Sequence, residues 1–221
     1  MFTKDIFFDR KFLVTGGALL LALLFFAYFP NTDRLSAEIQ SLITFLVFFL
    51  VFPILYVKYV LKESRQELGF RAPSSSLPAD WFRTCATTAL GFILFFFIYQ
   101  IWPALRDASQ LPFSVERSFL SFVQYELFIL AILFFYEVFF RGFVMLVFLR
   151  RFGAFAILFQ WLLFLLFLLA SNGFDISQAT MILFTPLAGF VAYRSRSLWH
   201  SFIASGLFFM AVDVFLLLHN R

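Results

Sequence analysis

Two ionisable side chains interrupt one of the most apolar stretches of the chain. The segment FFYEVFFRGFV, residues 134–144, places Glu137 and Arg141 four positions apart. Side chains with this spacing meet on one face of a helix, so they predict either a catalytic or ligand-polarising pair or an internal ion pair. Because no metal-binding set of residues accompanies them, the ion pair that fixes this helix in its bundle is the favoured interpretation.

Three further ionisable residues lie in or beside apolar stretches, where such groups usually face a bundle interior or a cavity. Glu126 precedes Glu137 by 11 residues, about three helical turns, so it shares that face or caps the outer end of the helix in water. Asp213 lies inside the last apolar stretch, FMAVDVFLLL, and needs a polar partner on a neighbouring helix or another protein. His200 opens that stretch and is expected at the membrane surface. We predict that all three make polar or partner contacts.

Few other residues in the chain could take part in catalysis or metal binding. A zinc or manganese site needs three or four converging N, O or S ligands, and the chain has two His and one Cys, Cys85. It contains no Ser/His/Asp arrangement and no glycine-rich phosphate loop, so we predict neither a metal nor a cofactor. The net charge of +4 comes from basic residues in short loops beside apolar stretches, which argues against a nucleic-acid partner.

The composition places these residues in a membrane. The chain is 62% hydrophobic and 14% charged, whereas soluble domains carry about a quarter charged residues. We therefore predict one all-α integral membrane domain, residues 1–221, in which 39 Phe residues fill lipid-facing and interhelical positions. A crossing needs about 20 apolar residues, and seven stretches suggest a bundle of seven transmembrane helices: 12–29, 40–61, 82–102, 119–140, 154–170, 179–193 and 198–218.

Two details of these helices remain open. Pro53 and Pro186 fall inside the second and sixth spans, where a kink is expected. The segment 141–153, apolar with a basic end, is either the tail of a long fourth helix or a short interfacial helix.

Lys and Arg residues predict the orientation, because they concentrate in cytoplasmic loops. Twelve of the 17 lie in the N-terminal tail and the even-numbered loops with their flanks, and four lie on the opposite side. We expect a cytoplasmic N-terminus and an external C-terminus in the plasma or inner membrane. The four residues on the external side are Arg34, Arg106, Arg117 and Arg221.

Four stretches follow one another in an order and spacing typical of a known membrane family. They are ELGFRAP (67–73), YEVFFRGFV (136–144), FLLFLLASN (164–172) and PLAGFVAYRSRSLWHSFIASGLFF (186–209). Together they resemble the motifs of the CPBP family, the CAAX-protease and bacteriocin-processing (Abi) membrane proteins, over about residues 65–215. The resemblance implies a bundle with a CAAX-protease-like core. Active members are thought to be intramembrane proteases in which glutamate, two histidines and an asparagine polarise a water molecule.

This chain departs from the family pattern at the positions that would react. Tyr136 stands where the first glutamate of the Glu-Glu-x-x-x-Arg motif, usually taken as the catalytic base, is expected, whereas Glu137 and Arg141 match the motif. Ser205 stands in place of the third region's histidine and Phe209 in place of its asparagine. Phenylalanine can hold neither a proton nor a metal, so these replacements argue against catalysis.

The second motif, Phe-x-x-x-His, fits in two registers. Counted from Phe167, the histidine position is Ser171; counted from Phe164, it is Leu168. We favour the first register, with Phe167 as a retained structural residue. Straight helices would place Glu137 near the inner end of the fourth span and Ser171 at the outer end of the fifth. Convergence of these positions therefore requires that 141–153 re-enters the membrane or that the span boundaries lie elsewhere.

These features favour a pseudoenzyme: a non-catalytic member of this family, acting as a scaffold or subunit that binds another membrane protein within the bilayer. An alternative is an active CAAX-type or peptide-processing protease with a rewired site around Glu126, Glu137 and His200. A further alternative is a transporter or pore subunit, although ion paths need a chain of polar residues that the spans lack.

Overall fold

Helices joined by short turns form the whole described part of this computed structural model, which comprises residues 10–27, 37–70, 78–108, 111–112, 115, 118–171 and 175–219. No strand occurs among these residues. The α-helices are α1 (Arg10–Ala27), α2 (Ala37–Phe45), α3 (Phe52–Leu55), α4 (Pro78–Ile101), α5 (Pro103–Ala108), α6 (Phe119–Glu137), α7 (Val147–Phe152), α8 (Phe155–Ser171), α9 (Ala179–Ser195) and α10 (Leu198–His219). Wider π-helical segments cover Leu46–Val51, Tyr56–Leu61 and Val138–Leu146, and 3-10 turns cover Arg65–Leu68 and Ile176–Gln178.

Five helical stretches are long and apolar enough to cross a membrane: Ile39–Leu61, Pro78–Ile101, Phe119–Met145, Ile176–Ser195 and Leu198–His219. They coincide with the second, third, fourth, sixth and seventh predicted spans, so the prediction of an all-helical membrane protein is confirmed. Two shorter apolar helices, Val14–Phe26 and Phe155–Ser171, occupy the places of the other two. Within the described residues, both are shorter than the roughly 20 residues of a perpendicular crossing.

The second span stays helical through its proline. Pro53 lies in α3, and the π-helical segments on either side of it belong to the same run from Ala37 to Leu61. Proline cannot donate the usual backbone hydrogen bond, and insertions of π geometry accommodate such local mismatches. The run ends at Lys62, whose left-handed backbone, at φ 57°, stops the helix.

The segment 141–153 forms the tail of a long fourth helix. The π-helical residues Val138–Leu146 continue α6 without a break, and α7 extends the helix to Phe152. Gly153, at φ 54°, ends it and donates its N–H to the Leu149 carbonyl over 2.9 Å. The helix therefore continues beyond residue 140, where the predicted fourth span ended, in agreement with the first of the two interpretations of 141–153.

The π-helical segment Val138–Leu146 is the centre of the fold. Every one of its residues from Val138 to Met145 is buried, so this stretch has no lipid-facing side. It packs against α8, α9, α10, the second span and the 3-10 turn Arg65–Leu68. A helix surrounded on all sides needs apolar residues around its whole circumference, which explains the run of phenylalanines on both sides of Arg141.

Phenylalanine occupies both kinds of position that composition suggested. Phe49 is fully buried and stacks between Phe26 and Phe139, with ring centroids 4.8 and 4.6 Å apart. Phe97 and Phe119, by contrast, lie exposed on the outer surface of the bundle. The aromatic core therefore joins the first, second and fourth helical runs around one buried ring.

Some sequence predictions fall outside the described residues. These include the N-terminal tail, residues 28–29 of the first span and residues 71–73 of the ELGFRAP stretch. Arg34, Arg117 and Arg221, which contribute to the predicted orientation, also lie there.

Candidate functional site

The carboxylate of Glu137 lies at the centre of a buried polar cluster. Arg141 Nη1 and Ser205 Oγ both donate to its Oε1, over 2.8 and 2.7 Å. Ser201 Oγ donates to Oε2 over 2.7 Å. Glu137 is 0% exposed, so these three donors replace the water that would otherwise solvate its charge. Charge-assisted bonds of this length are the strong class.

Arg141 connects the cluster to α9. Its Nη2 donates to the carbonyl of Thr185 over 3.3 Å, and its guanidinium carbon lies 4.8 Å from the centre of the Tyr136 ring. Pro186 follows Thr185 inside α9 and has no N–H, which frees the carbonyl of Ile182 one turn earlier, and Trp161 Nε1 donates to that carbonyl over 3.2 Å. The positive charge of Arg141 is therefore stabilised by the Glu137 carboxylate, by the Thr185 carbonyl and by the face of the Tyr136 ring.

Tyr136 occupies the position that the family resemblance assigns to a reacting carboxylate. Its hydroxyl lies 3.4 Å from Thr185 Oγ1, which itself donates to the Met181 carbonyl over 2.7 Å. Since the Thr185 proton is used, the tyrosine hydroxyl is the donor in the first contact. The ring packs against Phe140 and Phe164, with centroids 4.6 and 5.1 Å away. Its contacts are thus those of a core residue with one satisfied hydroxyl.

The space between these residues is closed. Tyr136, Arg141, Ser205 and Phe209 line a gap whose free volume is 0 Å³ for a water molecule. A hydrolytic site needs room for water next to its base, as well as access for the substrate. The gap provides neither in this conformation.

The other altered positions of the resemblance lie near Tyr136. Ser205 and Phe209 line one gap with it, and Leu168 and Ser171 line a separate cavity with it. The long fourth helix makes this possible, because Tyr136 and Glu137 lie inside the span Phe119–Met145 rather than at its end. Leu168 and Ser171 line the same cavity, so the structure leaves both registers of the second motif open.

The cavity on the Ser171 side has a volume of about 430 Å³. Its described lining combines uncharged polar side chains, most of them near helix ends, with an aromatic and aliphatic floor. Asp175, just outside the span Ile176–Ser195, forms a capping box with Gln178 near its mouth. The hydrogen bond from the backbone N–H of Ser177 holds the pKa of the Asp175 carboxyl below its ordinary value.

Glu126 and Asp213 lie together, between α6 and α10. Glu126 is only 5% exposed, so it does not cap the helix in water, which corrects one of the two sequence interpretations. Asp213 is its neighbour, close enough for their carboxyl groups to interact directly. Within the described part of the chain, Oε1 of Glu126 has no hydrogen-bond partner.

His200 is buried rather than surface-exposed, with 1% of its area accessible. Its ring lies 5.0 Å from that of Trp81 on α4. Neither ring nitrogen has a hydrogen-bond partner among the described residues. His200 lies in the first turn of α10, and Trp81 at the start of α4 covers its ring, so the expected contact with the membrane surface is replaced by an aromatic neighbour.

The turn after the second span docks onto the cluster's helix. The Gly69 carbonyl accepts a hydrogen bond from the Leu198 N–H over 3.0 Å. A Cβ on Gly142 would lie 3.0 Å from the Leu68 carbonyl and 3.1 Å from Leu198, so only glycine fits this approach without displacement. Three motif stretches distant in sequence therefore meet at one point.

Sequence reasoning missed several members of the site. Ser201 was not singled out, and Ser205 was named only as an altered position. The two lie four residues apart on α10, a spacing that could have indicated a polar face. Thr185 gave no signal, because its role depends on a backbone carbonyl. Gln160 is fully buried on α8 beside Gly189, and its amide has no hydrogen-bond partner within the described residues.

The described ranges contain no group of three or more His, Cys, Asp or Glu side chains that could hold a metal ion. Comparisons of the chain with protein-family models, with curated proteins and with solved structures find no match.

Proposed function

We propose that this chain is a non-catalytic membrane protein resembling the CPBP (CAAX protease and Abi) family. It acts as a scaffold or subunit that binds another membrane protein. One observation carries the first part of this proposal: the Glu137 carboxylate is fully buried and accepts hydrogen bonds from Arg141, Ser201 and Ser205. The gap lined by Arg141 and Ser205 has no room for water.

The chemistry of the cluster supports a structural role. A general base must reach the proton that it abstracts, directly or through one water molecule. Glu137 instead accepts hydrogen bonds from protein donors on both oxygens. Tyr136, in the place of the expected base, is buried and donates to Thr185, so it offers no basic group at neutral pH.

The arrangement of the motif stretches supports the family resemblance. The turn at Leu68–Gly69 touches Gly142 and Leu198, and Ser205 of the third region bonds to Glu137 of the first. A seven-helix CAAX-protease-like core is the architecture we propose for these contacts. In it, α1 and α8 cross as shorter helices, with the N-terminus cytoplasmic and the C-terminus outside.

The partner role is proposed because the internal cluster supplies a structural contact and no reaction. The buried ion pair of Glu137 and Arg141 holds α6, α9 and α10 together, so we expect the function of the bundle to depend on its outer surface. Large apolar side chains cover the outside of that bundle, and lipid satisfies them as well as protein does. A second membrane protein is therefore proposed as the partner because the expected catalytic residues are replaced.

The orientation can be tested by cysteine accessibility in sealed vesicles of known sidedness. In a Cys85→Ser background, Ser64→Cys and Ser177→Cys each place a thiol at an exposed turn. An impermeant maleimide should label position 177 only from outside and position 64 only from the cytoplasmic side. Labelling of both from the same side would overturn the proposed topology.

Activity is tested with the full chain in lipid nanodiscs, incubated with prenylated CAAX peptides and a membrane-peptide library. We expect no cleavage above that of the Glu137→Gln variant. Cleavage that this variant loses while it stays folded would establish the protease alternative. Crosslinking in native membranes, followed by identification of the attached chains, tests the scaffold. A recurrent membrane partner supports it, and a chain that crosslinks only to lipid contradicts it.

The protease alternative needs Glu126, Glu137 and His200 to act together. Glu126 adjoins Asp213, Glu137 is enclosed by Arg141 and two serines, and His200 packs on Trp81. No hydrogen bond joins the three across the described residues, which disfavours a shared site. The transporter alternative needs a continuous series of polar side chains, but apolar Leu130 and Leu133 lie between Glu126 and Glu137 on α6.

A further inference from the structure

The cavity beside Tyr136 has the size of a small-molecule site and a clear division of chemistry. Its volume of about 430 Å³ lies within the usual range for ligand pockets, roughly 300–1,000 Å³. Five uncharged polar side chains line it: Gln40, Ser41, Thr44, Ser171 and Gln178. All but Thr44 lie within about one turn of a helix end, and Thr44 lies two turns into the second span.

The floor of the cavity is apolar and deeper in the bundle. Phe164 precedes Ser171 by seven residues on α8, about 10 Å along the helix axis. Tyr136 closes the bottom, where its ring contacts Phe164. The remaining apolar lining consists of large side chains: Phe26, Phe45, Ile132, Phe167, Leu168 and Met181. An elongated hydrocarbon chain matches this floor.

The polar end carries no charge among its described lining residues. Two of its hydroxyls already donate: Thr44 Oγ1 to the Gln40 carbonyl and Ser171 Oγ to the Phe167 carbonyl, each over 2.8 Å. A hydroxyl that donates elsewhere keeps lone pairs that accept. These two hydroxyls therefore offer acceptors, the amide groups of Gln40 and Gln178 supply N–H donors, and no charged side chain among the described lining residues pairs with an ionised head group.

We infer that this cavity binds a neutral amphiphile, a lipid whose hydrocarbon chain fills the aromatic floor and whose uncharged hydroxyl head is bound by Thr44, Ser171 and their neighbours. The inference is independent of whether the chain has a protein partner. An ammonium head also donates, but transferring an unpaired charge from water into this site is costly. An anionic head group would likewise lose its water without meeting an opposite charge among the described lining residues.

Three photoreactive probes with the same dodecyl chain and mid-chain diazirine test the ligand class: the alcohol, the sulfonate and the trimethylammonium. Each is added at low mole fraction to the full chain in phosphatidylcholine nanodiscs, and the labelled positions are mapped by mass spectrometry. We expect the alcohol to label 40–45 and 164–171 at least roughly tenfold more than the charged probes.

Three variants locate the binding. Ser171→Phe fills the cavity and should abolish labelling of both segments. Ala170→Phe adds the same bulk at the adjacent exposed position and should leave labelling unchanged. Thr44→Val is nearly isosteric and removes the hydroxyl, both its acceptor lone pairs and the hydrogen bond that it donates to the Gln40 carbonyl, so labelling by the alcohol should fall about two- to tenfold.

Equal labelling by all three probes would overturn the inferred head group. Labelling spread over lipid-facing positions such as Phe97 and Phe119 would show partition into the bilayer alone, and would overturn the site itself. Ser171→Phe that folds and labels like the wild type would do the same. If Ser171→Phe fails to fold, the comparison of probes and the Thr44→Val variant still decide the outcome.

Discussion

Ser205 Oγ donates a 2.7 Å hydrogen bond to Oε1 of Glu137, and the two residues lie 68 positions apart in the chain. The family resemblance places a histidine at position 205, where it would serve as a base or a metal ligand. Ser205 instead donates a hydrogen bond to the Glu137 carboxylate and so stabilises its negative charge. Glu137, the motif carboxylate that is present in this chain, is therefore fixed in position, and its hydrogen bond with Ser205 joins α6 to α10.

Glu137→Gln should destabilise the protein strongly. The amide keeps the size of the side chain but removes the charge opposite Arg141, and it turns an NH2 group towards one of the donors. Removing one partner of a buried ion pair typically costs about 3–5 kcal/mol. The free energy of unfolding, measured by denaturant titration in mixed micelles, should fall by about that amount.

Gln124→Ala, at an exposed position of the same helix, is the control and should change stability by less than about 0.5 kcal/mol. If Glu137→Gln were as mild as this control, the cluster would not fix the bundle. The structural role proposed for Glu137 would then fail.

Ser205→Ala should cost about 1.5–3 kcal/mol, the usual range for a hydrogen bond to a charged group. Its effect should depend on Glu137, because the serine has this one partner on the helix opposite. In a Glu137→Gln background the same substitution should cost at least about 0.5 kcal/mol less, which a double-mutant cycle measures. Additive losses would show that Ser205 acts through packing rather than through the carboxylate.

Sequence reasoning located the helices well and their ends less well. Apolar length alone placed the five long spans, since a bilayer imposes that length on any crossing helix. The fourth span was predicted to end at residue 140, with 141–153 as either its tail or a short interfacial helix. In the structure the charge of Arg141 is buried against Glu137, and the helix continues to Phe152.

The candidate site was predicted in part, for a related reason. Spacing within one helix placed Glu137 beside Arg141, and that contact depends only on helical geometry. The contacts from Ser201, Ser205 and Thr185 depend on how α9 and α10 dock, which no local pattern encodes. His200 was assigned to the surface because the covering residue, Trp81, is far away in sequence.

Gly142→Ala should displace the turn after the second span. The new methyl group would lie 3.0 Å from the Leu68 carbonyl, a backbone atom that cannot rotate away. Overpacking of this kind typically costs about 1–3 kcal/mol. We expect that loss of unfolding free energy and faster proteolysis at residues 62–70.

Gly17→Ala is the matched control, since a methyl group there meets nothing within 4 Å. A glycine inside a helix is about 0.5–1 kcal/mol less favourable than alanine, so this variant should be neutral or slightly stabilising. Equal losses from both glycine variants would indicate a general effect on the helices rather than contact with the turn.

Asp213→Asn should stabilise the protein by about 1 kcal/mol. Two carboxyl groups that adjoin away from bulk water repel when both are ionised, and Oε1 of Glu126 has no hydrogen-bond partner within the described chain. The asparagine amide supplies an N–H donor of similar size and removes one charge. Asp213→Ala, which removes the charge without supplying a donor, should be less stable than Asp213→Asn in the same unfolding titration. The reverse order would mean that Asp213 interacts chiefly with a group other than Glu126.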